Sequence, residues 1–198
     1  MRYWYDCEFI EDGKTIDLIS IGIVAEDGRE YYAQSIEFDH RKASQWVKDN
    51  VLSHLQSCLW ANVTHVNSQR FYENELNYHQ GHGQCIDQIR GFIHDCPWRT
   101  REQLLHDVRI FFNPSDGIEL WGYYSAYDHV AFCQLFGTMM DLPKGYPMYT
   151  RDIKQWCDCL GNPALPLLGK DEHNTLADAR WNRQVWEFLR QIEKLRAK

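Results

Sequence analysis

The first part of the chain alternates apolar runs with short polar turns. Apolar runs span residues 2–10, 16–25 and 30–36, and Asp-Gly pairs typical of tight hairpin turns separate them, at residues 12–13 and 27–28. Strands joined by such short turns pair antiparallel. The pattern therefore predicts that the chain opens with a three-stranded antiparallel meander.

Beyond residue 36 the apolar spacing becomes that of helices and isolated strands. Apolar residues recur every three or four positions, as in amphipathic helices, in residues 43–56, 84–95, 99–112, 127–137 and 174–195. Residues 117–124 favour a short buried strand, and residues 148–161 a brief strand followed by a helix. This order predicts an α/β fold, a mixed sheet in which two parallel strands extend the meander and helices cover both faces.

Residues 57–83 interrupt this pattern with a tract rich in Asn, Gln, His and Gly. We interpret the tract as an insertion or lid, with a short helix at about 69–77, on one domain that spans residues 1–198. At its end His79, His82 and Cys85 are spaced like metal ligands. No second half of a zinc site is evident in the sequence, so we interpret these residues as loop composition.

Composition limits the class of protein. With 198 residues, 44% of them hydrophobic, the chain can form one compact core. It has no apolar run of about 18 residues and no secretory leader, so we expect no membrane contact and a cytoplasmic location. The seven cysteines are odd in number and irregularly spaced, which favours free thiols in a reducing compartment.

The formal net charge of −7 argues against a nucleic-acid binder that relies on a broad basic surface. An acidic protein can still hold a polyanion where bound divalent cations reverse the sign of the local field. The charge therefore restricts how a nucleic acid would be bound, without excluding one.

Two carboxylates stand in the middle of the first apolar run. Side chains two residues apart in a strand share a face, so Asp6 and Glu8 are neighbours, and their like charges repel on a half-buried strand. Two more acids lie in apolar sequence: Asp128 follows the fourth predicted strand, and Asp178 follows His173 by five residues at the start of the last helix. Carboxylate ligands suit Mg²⁺ or Mn²⁺ better than zinc. Bound cations would explain why the strand tolerates its paired acids.

The order of these residues resembles a known family. D-x-E in the first strand, an Asp after the fourth and H-x4-D at the last helix are similar to the DEDD-type 3′–5′ exonucleases of the ribonuclease-H-like fold, in the subclass with a histidine base. More specifically, YDCEFIEDGKTIDLISIGIVAEDGREYYA, IELWGYYSAYDHVAFCQLFG and HNTLADAR resemble the polyadenylate-specific 3′-exoribonuclease AS family. The resemblance covers most of the chain apart from residues 57–83. Cys7 departs from the small polar residue that the family often has between the first two acids.

The resemblance implies a metal-dependent 3′–5′ exoribonuclease that releases 5′-mononucleotides from single-stranded RNA, with a preference for adenosine, and that is often a homodimer. It implies two Mg²⁺ ions, replaceable by Mn²⁺, which can clamp the attacking and leaving oxygens of a phosphoryl displacement. Asp6 would bridge both ions, Glu8 and Asp178 complete the inner site, Asp128 hold the outer one, and His173 act as general base.

Two alternatives stay open. A proofreading-type exonuclease that prefers DNA is one, because recognition of the 2′-hydroxyl depends on a few contacts, often from the backbone. A catalytically silent nucleic-acid-binding domain is the other, although all five expected residues are present. Turnover of labelled RNA and DNA separates them.

Aromatic residues are frequent near the predicted site. For Phe9, Trp121 and Tyr124, together with Tyr123, stacking on substrate bases competes about evenly with packing in the core. Other tryptophans are interpreted as core or interface anchors, namely Trp46, Trp60, Trp98, Trp156, Trp181 and Trp186.

Overall fold

The computed structural model describes residues 1–57, 71–82, 96–169 and 172–197. At its centre lies a six-stranded mixed sheet with the strand order β4-β3-β2-β1-β5-β6. The strands are β1 (Arg2–Glu11), β2 (Ile16–Ala25), β3 (Glu30–Ser35), β4 (Trp98–Arg99), β5 (Glu119–Gly122) and β6 (Arg151–Asp152).

Strand pairing confirms the predicted meander and mixed sheet. β1 pairs antiparallel with β2, and β2 with β3, whereas β5 and β6 add in parallel beyond β1. β4 was not predicted. The backbone N–H of Gln34 donates to the Pro97 carbonyl at 2.8 Å, which attaches a two-residue strand to the free edge of β3. The helix predicted from residue 99 therefore begins at Arg101.

The helices of the described residues are α1 (Gln45–Asn50), α2 (Phe71–His82), α3 (Arg101–Phe111), α4 (Ala126–Phe136), α5 (Ile153–Cys159) and α6 (Thr175–Arg196). The helices predicted over 127–137 and 174–195 are confirmed, each within a residue of its bounds. The segment 43–56 is α-helical over only six residues and continues as a 3₁₀ turn at Leu52–His54. Across the described ranges, no helix is long and apolar enough to cross a membrane.

Helices cover both faces of the sheet, as predicted. On one face α3 and α4 pack against Tyr3 and Tyr5 of β1. On the opposite face α5 and α6 pack against Trp4. Because successive side chains of a strand alternate between faces, Asp6 and Glu8 share the face of Trp4. The paired acids therefore lie under α6.

The helix α2 packs beside β4 in a third cluster of buried residues. Leu76 is fully buried, and the carboxylate of Glu75 accepts a hydrogen bond from the indole N–H of Trp98 at 2.9 Å. His79 and His82 lie within α2, so the loop interpretation of these histidines was wrong. Burial of one face stabilises this helix. The segment is so polar overall that its sequence gives little sign of a buried face.

The short helix predicted at about 69–77 is confirmed as α2 from residue 71 onward. The predictions for residues 84–95, which include Cys85, lie outside the described residues. So do those for residues 58–70, which include Trp60. The insertion or lid at 57–83 stays a prediction.

Candidate active site

The site forms where β1 extends beyond its neighbour β5. The two strands pair only along Arg2–Trp4, so later backbone groups on that edge need other partners. The Tyr5 carbonyl accepts from the side-chain amide of Asn182 on α6 at 3.0 Å. The Cys7 N–H donates to Asp128 Oδ1 at 2.7 Å. Hydrogen bonds to unpaired backbone groups of β1 thus hold the start of α4 and the first turns of α6 next to the same end of this strand.

The loop before α6 brings His173 to the acids of β1. The His173 N–H donates to Asp178 Oδ2 at 2.9 Å, and its Nδ1 lies 3.3 Å from Glu8 Oε1. His173 has a φ of 69°, a left-handed conformation that histidine tolerates better than most side chains. Ligand atoms of Glu8, His173 and Asp178 lie within 4.8 Å of one another.

A glycine permits this approach. Gly22 of β2 pairs directly with Asp6, so it lies on the same face of the sheet, under the beginning of α6. A Cβ at Gly22 would lie 2.3 Å from the backbone carbonyl carbon of Thr175, far inside van der Waals contact. Only glycine allows the first turn of α6 to rest on the sheet here, and this contact sets the position of Asp178 relative to Asp6.

Electrostatics inside the site oppose ionisation of the acids. The pKa of Asp6 is raised well above its usual range, first by burial and then by the charges of the other three acids. Burial, followed by the charge of Asp178, raises the pKa of Glu8 to about 8. Burial raises the pKa of Asp128 to about 7 and that of Asp178 to about 6, although backbone hydrogen bonds oppose both shifts. The four carboxylates carry their full charge together only where positive charge compensates them.

The donor set fits a divalent cation. Besides the cluster of Glu8, His173 and Asp178, the buried Asp178 Oδ1 has no hydrogen-bond partner among the described residues. A buried carboxylate oxygen without a partner is unfavourable unless something else binds it. Carboxylate oxygens are the ligands that Mg²⁺ and Mn²⁺ prefer. The residues present therefore suit a hard cation.

A cavity of about 260 Å³ opens over these residues. Its acidic floor comes from β1, α4 and α6, and its walls are largely aromatic, including Phe9, Tyr123, Tyr124 and Trp181. Phe9 is held edge-on by Tyr127, with ring centroids 5.9 Å apart. All five residues predicted from the sequence to carry chemistry line this cavity: Asp6, Glu8, Asp128, His173 and Asp178.

Of the four aromatic residues for which stacking on substrate was weighed, three line the cavity and one does not. Phe9, Tyr123 and Tyr124 line it. Trp121 lies apart from it, in a cluster where its ring centroid is 5.6 Å from that of Trp156 and 6.0 Å from that of Trp186. The side chain of Trp121 points to the same face as Trp4, with which it pairs in register. Packing accounts for its place in the structure.

Three residues that shape the site were not predicted from the sequence. Gly22 and Asn182 look ordinary there, although Asn182 follows Asp178 by one helical turn on an otherwise apolar face, which was the available signal. Trp46, interpreted as a core or interface anchor, is 56% exposed, so the core assignment was wrong. Its ring meets that of His173 edge-on at 5.0 Å. Its position depends on α1, which the sequence does not relate to the last helix.

The fold and the site together define an α/β domain whose mixed sheet is compatible with the ribonuclease-H-like fold and whose central strand contributes two half-buried acids to a cluster of four. A family model described as the 3′-5′ exoribonuclease Rv2179c-like domain matches residues 1–190. The chain belongs to this family.

Two curated proteins from Mycobacterium tuberculosis are similar to the chain over most of its length. One is the 3′-5′ exoribonuclease Rv2179c of strain ATCC 25618 / H37Rv, 42% identical over 182 residues, which is 91% of this chain and 88% of the relative. The other, the 3′-5′ exoribonuclease MT2234.1 of strain CDC 1551 / Oshkosh, has the same identity and coverage.

Proposed function

We propose that the protein is a divalent-cation-dependent 3′–5′ exoribonuclease that hydrolyses the last phosphodiester bond of single-stranded RNA and releases 5′-mononucleotides. The observation that carries this proposal is the meeting of four acids, one buried and three half-buried, from three chain segments in one cavity beside a histidine. The names of the two relatives and of the family support the direction and the substrate.

Asp6, Glu8, Asp128 and Asp178 would hold the cations, which we expect to be two Mg²⁺ ions, with Mn²⁺ as a substitute. When bound, they supply the positive charge that polarises the scissile phosphate and lowers the pKa of an attacking water. The same charge offsets the burial and the charge repulsion that together raise the pKa of Glu8 to about 8. The protein contributes by presenting the carboxylates together, already desolvated.

His173 would accept the proton of the attacking water. Its backbone is tied to Asp178 at 2.9 Å, while its imidazole lies 3.3 Å from Glu8 and against the edge of Trp46. These contacts hold the ring at the margin of the acidic cluster, where a base is needed. A positioned general base contributes about 10²–10⁴ in rate.

The shape of the cavity favours a chain end. Its volume of about 260 Å³ is just below the range of ligand pockets, which hold roughly 300–1,000 Å³. Phe9 and Tyr124, which both line the cavity, can contact the terminal base. A cavity of this size accommodates one nucleotide at the end of a strand more readily than the middle of a strand.

The finer assignments rest on the resemblance seen in the sequence. Membership of the histidine subclass of DEDD exonucleases, an adenosine preference and a homodimer are proposals of this kind. A cytoplasmic location is proposed too, and it agrees with the free thiols of Cys7, Cys133, Cys157 and Cys159.

The decisive experiment is a digestion panel. RNA oligonucleotides ending in A, C, G or U, their deoxy counterparts and a circular RNA are incubated with Mg²⁺, Mn²⁺ or EDTA, and products are resolved by length. We expect stepwise release of mononucleotides from RNA 3′ ends that EDTA abolishes. Faster digestion of DNA would favour a proofreading-type enzyme, and cutting of circular RNA would contradict an exonuclease.

A matched pair of variants excludes a contaminating nuclease. Asp6→Asn should abolish the activity, whereas Glu193→Gln, at the exposed far end of α6, should leave it unchanged. Activity that survives in Asp6→Asn would remove the acidic cavity from the reaction. Binding of RNA without turnover by the wild-type protein would favour a catalytically silent binding domain.

A further inference from the structure

The rest of the strand needs a surface next to the cavity. A cavity of about 260 Å³ is smaller than most ligand pockets, which hold roughly 300–1,000 Å³, so nucleotides upstream of the cleaved bond would lie outside it, on its rim. A series of aromatic rings leads outward on one side. The Tyr123 ring lies 5.1 Å from that of Trp181 and 4.8 Å from that of Tyr124, and all three residues line the cavity.

One side-chain contact links the segment after β5 to the segment before β6, which is the edge strand of the sheet. Ser125 Oγ and Thr150 Oγ1 lie 3.2 Å apart, and the residues just before them in sequence are Tyr124 and Tyr149. The Cα atom of each tyrosine is therefore about 3.8 Å from the Cα atom of Ser125 or Thr150, the two residues that form this contact. Tyr124 is 65% exposed and Tyr149 58% exposed. We call this pair, together with Arg151, the aromatic strip.

Packing does not explain the two exposed rings. Tyr124 adopts a φ of 56°, a left-handed conformation that costs about 1–2 kcal/mol for a residue with a Cβ. Trp121, three residues earlier, is by contrast packed between other tryptophans. A bulky ring that is both strained and exposed beside a reactive cavity is typical of a binding surface.

Arg151 equips the aromatic strip for a phosphate. Its guanidinium donates to the hydroxyl of Tyr149 at 2.7 Å and lies 5.2 Å from the centre of that ring, which holds it in place. Glu119, 3.7 Å from the Arg151 Nε, offsets part of its charge. Stacking therefore supplies most of the attraction, and the guanidinium is available to one backbone phosphate.

We propose that the aromatic strip binds the nucleotides immediately upstream of the scissile bond, with their bases stacked on Tyr124 and Tyr149 and a phosphate near Arg151. This inference rests on the proposed exoribonuclease function. The aromatic strip would then make the enzyme prefer longer RNA substrates to short ones. Because every base has a face to stack, the strip would bind without reading sequence.

The test compares kcat/KM for RNA of two, three, four and six nucleotides in the wild type and in Tyr149→Ser, with Tyr149→Phe to restore the ring. Tyr149 does not line the cavity, so turnover of the dinucleotide should be unchanged in both variants. In the wild type kcat/KM should rise as nucleotides are added. Tyr149→Ser should lose about 5- to 150-fold on the longer substrates, chiefly through KM, the range expected for one stacked base, and Tyr149→Phe should retain most of the wild-type value.

Trp46→Ser is the comparison variant, since Trp46 is an exposed ring that contacts a different lining residue of the cavity, His173. Because this variant can also lower basal turnover, length dependence is taken in every variant as kcat/KM relative to that of the dinucleotide. If Trp46→Ser removed the length dependence and Tyr149→Ser did not, the strand would leave past Trp46 and the proposal would be wrong. A change of oligomeric state in Tyr149→Ser with unaltered length dependence would also overturn it, by making the strip an interface between protein chains. Failure of the wild type to cleave any RNA would instead refute the proposed function.

Discussion

The two ends of the β1 face beneath α6 differ sharply in chemistry. At one end Trp4, 2% exposed, packs at 5.4 Å from Trp186 among aliphatic side chains that include Leu189. At the other end, two residues along the same strand, Asp6 and its neighbours form a largely half-buried group of acids under the first turns of the same helix. One helix thus covers an apolar contact and an acidic cavity on one strand.

The difference separates stability from function along a single element. Burial of apolar side chains at the Trp4 end stabilises the fold by roughly 25 cal/mol per Å². Burial of like charges at the Asp6 end opposes folding, as the raised pKa values of the acids indicate. The apolar end therefore holds α6 on the sheet, and the acidic end depends on that support. Substitutions at the two ends should therefore change the free energy of unfolding in opposite directions.

Asp6→Asn should give the largest effect. Loss of a carboxylate that we propose binds both cations should remove several kcal/mol of transition-state stabilisation, which corresponds to a fall in kcat of about 10³-fold or more. The same change removes an acid whose ionisation burial and the neighbouring acids oppose, so the metal-free protein should melt at a higher temperature than the wild type. Activity assays and thermal melts in EDTA measure the two effects. Normal turnover in this variant would show that the acidic end is not the site of reaction.

His173→Asn should lower kcat by about 10²–10⁴-fold while KM changes little. Asparagine tolerates the left-handed backbone at this position, where φ is 69°, so the loop should keep its shape. Because the acids remain, Mg²⁺ should still raise the melting temperature by linkage. Turnover within a few-fold of wild type would remove the histidine from the role of base.

Gly22→Ala tests whether activity depends on the close approach of α6 to the sheet at the acidic end. The added Cβ would meet the backbone of Thr175 at 2.3 Å, so α6 must shift outward and carry Asp178 away from Asp6. A displacement of about 1 Å can reduce turnover about 10²-fold. The control is Gly169→Ala, because an added Cβ there meets nothing within 4 Å and the backbone φ is ordinary. Equal activity of the two variants would contradict the tight approach.

Leu189→Ala tests the apolar end. Leu189 is fully buried, so the truncation should lower the free energy of unfolding by about 2–5 kcal/mol. Turnover per folded molecule should stay near the wild-type value, since the residue lies well away from the acids. Leu195→Ala on the same helix, at an exposed position, should change stability little. Denaturant titration with parallel kinetics measures both, and a loss of kcat at full folding would show that the two ends are coupled.

The smallest expected effect is a dependence of metal-free stability on pH. Unfolded Asp and Glu titrate near 3.9 and 4.3, whereas in the folded protein the pKa of Asp178 is about 6, that of Asp128 about 7 and that of Glu8 about 8. Between these limits the folded state binds more protons than the unfolded state, so stability should fall as pH rises from about 4 to about 8.

Thermal melts across this pH range in EDTA and in Mg²⁺ provide the measurement. The decline should be clear in EDTA and weaker in Mg²⁺, because bound cations favour the ionised acids in the folded state. Asp6→Asn, which removes one of the repelling charges, should flatten the decline in EDTA. Rising stability over the same range would mean that the acids are not destabilised by burial.

The sequence by itself determined the local elements and the residues that carry the chemistry. Apolar periodicity and Asp-Gly turns specify β1 to β3, and helical spacing specifies α4 and α6, because these signals depend on neighbours in the chain. Two acids placed side by side in an apolar strand are unfavourable without a compensating partner, and this local conflict is enough to mark Asp6 and Glu8 as candidate ligands.

Only the tertiary structure decided how distant segments meet. The need for glycine at residue 22 follows from contact with Thr175, more than 150 residues later in the chain. Trp46 and Trp121 have the same side chain, yet one is exposed beside His173 and the other is packed among tryptophans. β4 exists because β3 had a free edge. Each outcome depends on contacts between residues far apart in sequence, and composition and spacing carry no record of such contacts.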